Sequence, residues 1–237
     1  MNPLLNSKAA DQDESHWLTV SDLMAGLMMV FLFIAIALMQ NAFEKQKAVQ
    51  DVAQAYTANQ NALYQALHAE FPDDELLRWD ATIDPETLTF TVLSPDIMFG
   101  EGDAGLSPRY KALLDDFFPR YMAVLTQFLN SITEVRIEGH TSSGWNRSTS
   151  DADAYFKNMK LSQDRTRTVL AYVYRLPAVR DQRDWTRSNI TAVGFSSSKP
   201  VLKDGLQEED EVRSRRVAFR VITNADKKIG EILGLEP

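Results

Sequence analysis

Residues Trp17 to Met39, WLTVSDLMAGLMMVFLFIAIALM, make an apolar run of 23 residues that carries one charge, Asp22. As a helix rising about 1.5 Å per residue, the run reaches roughly 34 Å, enough to cross a hydrocarbon core of about 30 Å. Trp17 stands where an indole suits the membrane interface, and polar residues resume at Gln40 and Asn41. A cleaved secretory signal would carry an apolar region of about 7–15 residues behind a basic leader. Here the run is longer and the leader is acidic, with Lys8 against Asp11, Asp13 and Glu14. The run therefore predicts a retained span at 17–39 between a tail at 1–16 and a soluble remainder. The acidic leader, with Lys45 and Lys47 beyond the span, gives no support to a cytoplasmic N-terminus. Long domains are translocated regardless of charge, so the identity of the soluble part has to decide the orientation.

Asp22 lies five positions past Trp17, roughly 7 Å into the span by helical rise. A carboxylate there costs a few kcal/mol on insertion scales and persists where it faces a protein interior or a water path. Two readings are open. Ser21 and Asp22 are both good N-cap residues, and the first reading starts the helix at that point, leaving just enough residues to span. Alternatively Asp22 takes up and releases a proton against a partner's helices, with Ser21, Ala25 and Gly26 allowing close approach.

The rest of the chain excludes several classes of function. A net charge of −8 argues against a nucleic-acid binder, which needs a basic footprint. No cysteine is present, so disulfides, thiolate metal sites and a cysteine nucleophile are out. His16, His68 and His140 are far apart and show no metal-binding spacing, and no metal or other cofactor is expected. No nucleophile–base–acid set accompanies His140. A wall enzyme is therefore disfavoured, and His140 is expected to order its loop.

From Phe43 to Phe71 the chain is polar and rich in alanine and glutamine, with Ala48, Val52, Ala55 and Tyr56 at helical spacing. This predicts a helical linker over 40–71, either paired with a copy of itself or lying loosely. Pro72-Asp73-Asp74-Glu75 breaks the pattern and opens a domain drawn at 72–225, followed by a tail at 226–237. Within the domain, strands are expected at 87–93, 134–138, 190–193 and 216–222, and helices at 110–129 and 161–176. The order β-α-β-α-β-β gives an α+β fold with helices on one sheet.

Three motifs carry a resemblance. Val135 to Thr141 reads VRIEGHT, Leu161 to Arg165 reads LSQDR, and Arg213 to Ile222 reads RSRRVAFRVI. In this order, and behind LTFTVLSPDIMFGEGDAGLSP at 88–108, they resemble the OmpA-like peptidoglycan-binding domain over roughly residues 85–223. That resemblance implies a pocket for the diaminopimelate of the wall's stem peptide, bound by Arg165, Leu161, Asn158, Thr141 and Ser142. A guanidinium offers a carboxylate a planar fork of donors that an ammonium cannot match. Arg165 stands at the family's carboxylate-binding position, with pairing to Asp164 or a neighbouring carboxylate as its bland alternative. Where the family usually has an aspartate for the ligand's ammonium, this chain has Ser142. The stretch 142–161 also reads as a longer loop, Lys157 replaces the usual tyrosine, and Asp151 or Asp153 is a candidate to supply the missing charge.

A short tail, one helix with an early aspartate, a linker and an OmpA-like domain is also the layout of the flagellar stator B subunit. Asp22 followed by Leu23-Met24-Ala25-Gly26-Leu27-Met28-Met29 resembles that family's membrane stretch, although the acidic tail departs from its basic one. The form SDLMAGLMMVFLFIAIAL resembles the B subunit of the Zorya anti-phage defence system more than the flagellar one. The resemblance implies a homodimer inside a ring of multi-span A subunits, five A to two B, driven by protons through Asp22 and held by peptidoglycan. It also implies an inner-membrane protein with a cytoplasmic N-terminus and a periplasmic domain. The alternatives are a motility stator and a passive anchor between membrane and wall.

Overall fold

The computed structural model describes residues 4–93, 98–100, 102–146 and 148–224. Residues 1–3 and the expected tail at 226–237 lie outside the described residues. The chain divides into two compact units, the second beginning at Gln54.

Helix α1 runs from Leu4 to Glu70, so it starts inside the segment read as a tail. Its first unit carries an 18-residue window of mean hydropathy 2.4. Leu23, Met28, Phe31 and Phe33 are each more than half exposed, and at 100° per residue they point to different sides. A helix apolar all round suits a lipid surrounding, and this one is long and apolar enough to cross a membrane. Because helical residues precede Ser21 and Asp22, the capping reading of Asp22 does not hold: it sits in the helix interior, where the N–H groups it would cap already have partners.

The second unit is built on a five-stranded sheet of β1 (Ala81–Asp84), β2 (Thr89–Val92), β3 (Ile132–Gly139), β4 (Ile190–Gly194) and β5 (Val217–Thr223). Their order in space is β1-β2-β5-β3-β4, antiparallel except for the parallel β3–β4 pair. Three helices were not expected in their observed form or at all: α2 (Asp73–Trp79), α5 (Arg183–Asn189) and α6 (Glu211–Ser214) are short. The two long ones are α3 (Pro108–Leu125) and α4 (Asp151–Val173). α3 starts on Ser107, whose hydroxyl accepts from the Tyr110 N–H at 3.0 Å, with Pro108 at the first helical position, where a missing N–H costs nothing.

The core lies where α3 meets the sheet and the end of α1. Phe90 of β2 stacks on Phe117 of α3 at 4.1 Å between ring centres, and Phe219 of β5 lies 5.1 Å from the same ring. Leu63, Leu67 and Phe71, spaced by four residues, are all buried and present one helical face to this core. The domain therefore recruits the end of what reads as a linker, and its core does not begin at Pro72. Arg120 of α3 fixes that junction. It donates to the Glu70 carboxylate at 2.7 Å and to both oxygens of Glu75 at 2.9 and 3.0 Å, and its guanidinium lies 4.8 Å over the Phe71 ring.

Candidate functional site

The helix expected to begin at Leu161 begins at Asp151, capped by Ser150. The Ser150 hydroxyl accepts from the Asp153 N–H at 3.2 Å, as an N-cap does, and donates to its carboxylate at 2.7 Å. About half of what reads as a long loop, residues 151–160, is therefore nearly three turns of helix. Asp151 and Asp153 lie in its first turn, complementing the helix dipole, and neither lines the cleft described below. The suggestion that they replace a ligand-binding aspartate is not supported.

α4 packs against the ends of β3 and β4 because two residues there lack side chains. A Cβ on Gly139 would fall 2.8 Å from the Ser162 carbonyl oxygen, and one on Gly194 would fall 2.5 Å from the Gln163 nitrogen. The fully buried Ser162 then ties three segments together. Its hydroxyl donates to the Met159 carbonyl at 2.9 Å and accepts from the Ser196 N–H at 3.1 Å. The Ser196 carbonyl in turn accepts from the Thr141 N–H at 2.9 Å. Asn158, also buried, donates to the carbonyls of Ser142 and Gly144 at 3.0 and 3.3 Å. The strand-end loop after Gly139 is thus clasped by one helical turn of α4.

This packing brings Thr141, Ser142, Asn158, Leu161 and Arg165 into the wall of one cleft of about 520 Å³. Besides three glycines, sequence reasoning missed three side chains of its wall, Phe99, Trp145 and Arg215. Arg215 stood in a quoted motif, but nothing in the pattern said which of its arginines turns inward. Arg165 does not pair with Asp164, whose carboxylate is taken by Lys160 at 2.6 Å and Arg167 at 3.5 Å. Arg165 instead donates to the carbonyls of Asp103 at 2.8 Å and Gly100 at 3.2 Å, with its guanidinium 4.8 Å over the Phe99 ring. Two of its five donors fix the fork in place. Burial, and then the neighbouring Arg215, lower the Arg165 pKa, but an arginine so placed stays charged.

The charged side chains lining the cleft are Arg165 and Arg215, and among the described residues no carboxylate lines it. The Asp103 carboxylate accepts from the N–H groups of Ala104 and Gly105 in its own loop. Glu209 accepts from the Ser143 N–H, next to Ser142, at 3.1 Å. The Thr141 hydroxyl is buried in the wall without a partner among the described residues. Phe99, Leu161 and Trp145 add apolar surface. Chemically, this combination can hold an aliphatic chain ending in a carboxylate.

His140 lies behind the cleft. Its N–H donates to the Arg216 carbonyl, and its ring stacks on Phe195 at 5.2 Å and touches the Glu138 carboxylate at 3.5 Å. Burial holds its pKa below the usual histidine range, with Arg216 and Lys199 acting the same way against Glu138. The ring is thus held in packing and does not line the cleft. Among the described residues there is no group of histidines, cysteines and carboxylates that could hold a metal ion.

The sequence profile of the OmpA family matches residues 98–214. The Zorya protein ZorB of Escherichia coli strain Crooks is 50% identical over 223 residues, covering 94% of either chain. Among solved structures, a putative MotB-like protein from Desulfovibrio vulgaris covers 76% of this chain and 98% of its own, at 17% identity and a TM-score of 0.47. The cell wall anchor of the T6SS from Pseudomonas aeruginosa covers 66% and 96%, at 22% identity and a TM-score of 0.45.

Proposed function

The chain belongs to the family of the Zorya protein ZorB, and from that premise we propose that it is the wall-anchored B subunit of a proton-driven, stator-like motor serving anti-phage defence. The observation that carries this reading is the 50% identity over nearly the whole of both chains, so that membrane helix and soluble domain are matched together. The role is a motor subunit's, not a catalyst's.

In this reading α1 crosses the inner membrane with its N-terminus in the cytoplasm. Two copies pair inside a ring of multi-span A subunits, five to two, because one helix cannot enclose a path for ions. Asp22, inside the helix and away from any cap, alternates between charged and neutral as protons pass. Each charge moved across about 100 mV releases about 2.3 kcal/mol, a small step that repeats. The periplasmic domains hold peptidoglycan, so that the ring turns against a fixed axis. Arg165 takes a carboxylate of the stem peptide, Leu161 packs its aliphatic chain, and Asn158 holds the Thr141–Gly144 loop in shape. With Ser142 in place of a carboxylate, the unpartnered Thr141 hydroxyl and the loop carbonyls accept from the ligand's ammonium.

Phage plaquing on cells carrying the native operon tests this, comparing wild type with Asp22→Asn at equal membrane abundance. Protection by wild type and its loss in the variant is the expected result. Equal protection by both would make the protein a passive anchor, and no protection by wild type would remove the defence role.

A further inference from the structure

A second basin lies next to the cleft, between α3 and α4. It is a shallow groove of about 560 Å³ that draws Lys111 from α3 and Arg167, Tyr172 and Arg175 from α4 and the residues just after it. Three cations in one groove run against the chain's net charge of −8. Their neutralisation is incomplete. Lys111 is exposed and meets no carboxylate among the described residues. Arg175 donates to the Ala171 carbonyl at 3.1 Å, again with no acid. Arg167 reaches Asp164 at 3.5 Å, where Lys160 already sits at 2.6 Å. Asp115 of α3 accepts from the Tyr172 hydroxyl at 2.7 Å.

One loop edges both the groove and the cleft. Gly100 and Gly102 line the cleft, and Gly105 and Leu106, a few residues on, line the groove. Along α4, Arg165, Thr168 and Tyr172 fall three and four residues apart, on one face. Seven residues separate Arg165 from Tyr172, which is roughly 10 Å of helix. A polymer bearing successive free carboxylates is the class of ligand that two basic sites edged by one loop suit.

We propose that this groove is a second anion site for the same wall polymer, taking a carboxylate next along the strand from the one held by Arg165. The proposal rests on the wall-binding reading. Individually weak exposed contacts gain from linkage, because the second engagement becomes intramolecular. The cleft gives chemical selectivity and the groove adds hold, which suits a subunit that must resist torque.

The test uses the full-length chain in detergent, with Lys111→Gln/Arg167→Gln as the groove variant and Arg165→Ala as the cleft variant. Both groove side chains are exposed, and an unchanged melting midpoint confirms folding. At low salt the groove variant should pellet with purified sacculi about fivefold more weakly, the sum of two modest ion contacts. Its affinity for a soluble muropeptide carrying one stem should stay at wild type, while Arg165→Ala loses both. Wild-type pelleting by the groove variant overturns the proposal, as does equal loss of the soluble muropeptide. Failure of the wild-type chain to bind sacculi removes the wall reading itself and this occupant with it. Binding to phosphatidylglycerol vesicles that the variant alone loses assigns the groove to lipid instead.

Discussion

Gly194 has no room for a methyl group, since a Cβ there lies 2.5 Å from the backbone nitrogen of Gln163 and 2.6 Å from the Ser162 hydroxyl. Backbone cannot swing aside as a flexible side chain can, so α4 must lift from β4. Gly194→Ala should therefore cost about 1–3 kcal/mol, the range for overpacking a close-packed interior, read as a lower denaturant midpoint. The same lift would loosen the Ser162–Ser196–Thr141 chain of hydrogen bonds, so wall binding should weaken as well. An unchanged midpoint would mean that the helix does not rest on this glycine. The site's residues were legible to different degrees. Thr141, Ser142, Asn158, Leu161 and Arg165 stand in motifs, and the fold brings them into one wall. Phe99, Trp145 and Arg215 carry no spacing signal, because they arrive from a loop, a strand-end turn and the approach to β5, whose meeting point only tertiary packing sets.

Arg120 shows how a single side chain joins elements. It collects Glu70 at the end of α1 and Glu75 in α2, and its hydrogen bond to Glu75 is the main cause holding that carboxyl's pKa below the usual range. A depressed carboxyl pKa contributes stability that is complete above the unfolded-state value, about 4.3, and is lost as pH falls through the folded value. Acid should therefore loosen this junction below about pH 4.3. Glu75→Gln should lower stability at neutral pH and flatten the acid limb of the melting curve. A limb as steep as wild type would assign the acid sensitivity elsewhere. Legibility also varied among the elements. The long periodic helices and the strands of β2 to β5 were readable because their apolar spacing is sustained. β1 has only Ala81 and Ile83 facing inward over four residues, too little pattern to separate from a turn. The start of α4 was misplaced because Asp151-Ala-Asp-Ala reads as polar loop, although Ser150 followed three residues later by Asp153 is a capping signal.

The soluble unit begins at Gln54, and this has a consequence for the chain as a whole. A boundary at Pro72, where the polar helix visibly breaks, would discard Leu63, Leu67 and Phe71, all buried in the core. Removing one large buried side chain costs about 2–5 kcal/mol, and a domain has about 5–15 kcal/mol in total. The three together therefore exhaust most of what the domain has, before the Arg120–Glu70 pair and the Gln60–Pro85 contact at 3.1 Å are counted. A fragment from Gln54 to Pro237 should unfold cooperatively as a soluble protein, and one from Pro72 to Pro237 should show no sharp transition, as calorimetry would read. Equal melting midpoints would return residues 54–71 to the status of a linker. The sequence pattern misses this because one helix serves two surroundings. Its stretch from Leu23 to Met39 is apolar on every side. Its last turns offer only the single face of Leu63, Leu67 and Phe71, which looks thin until the sheet and α3 are set against it.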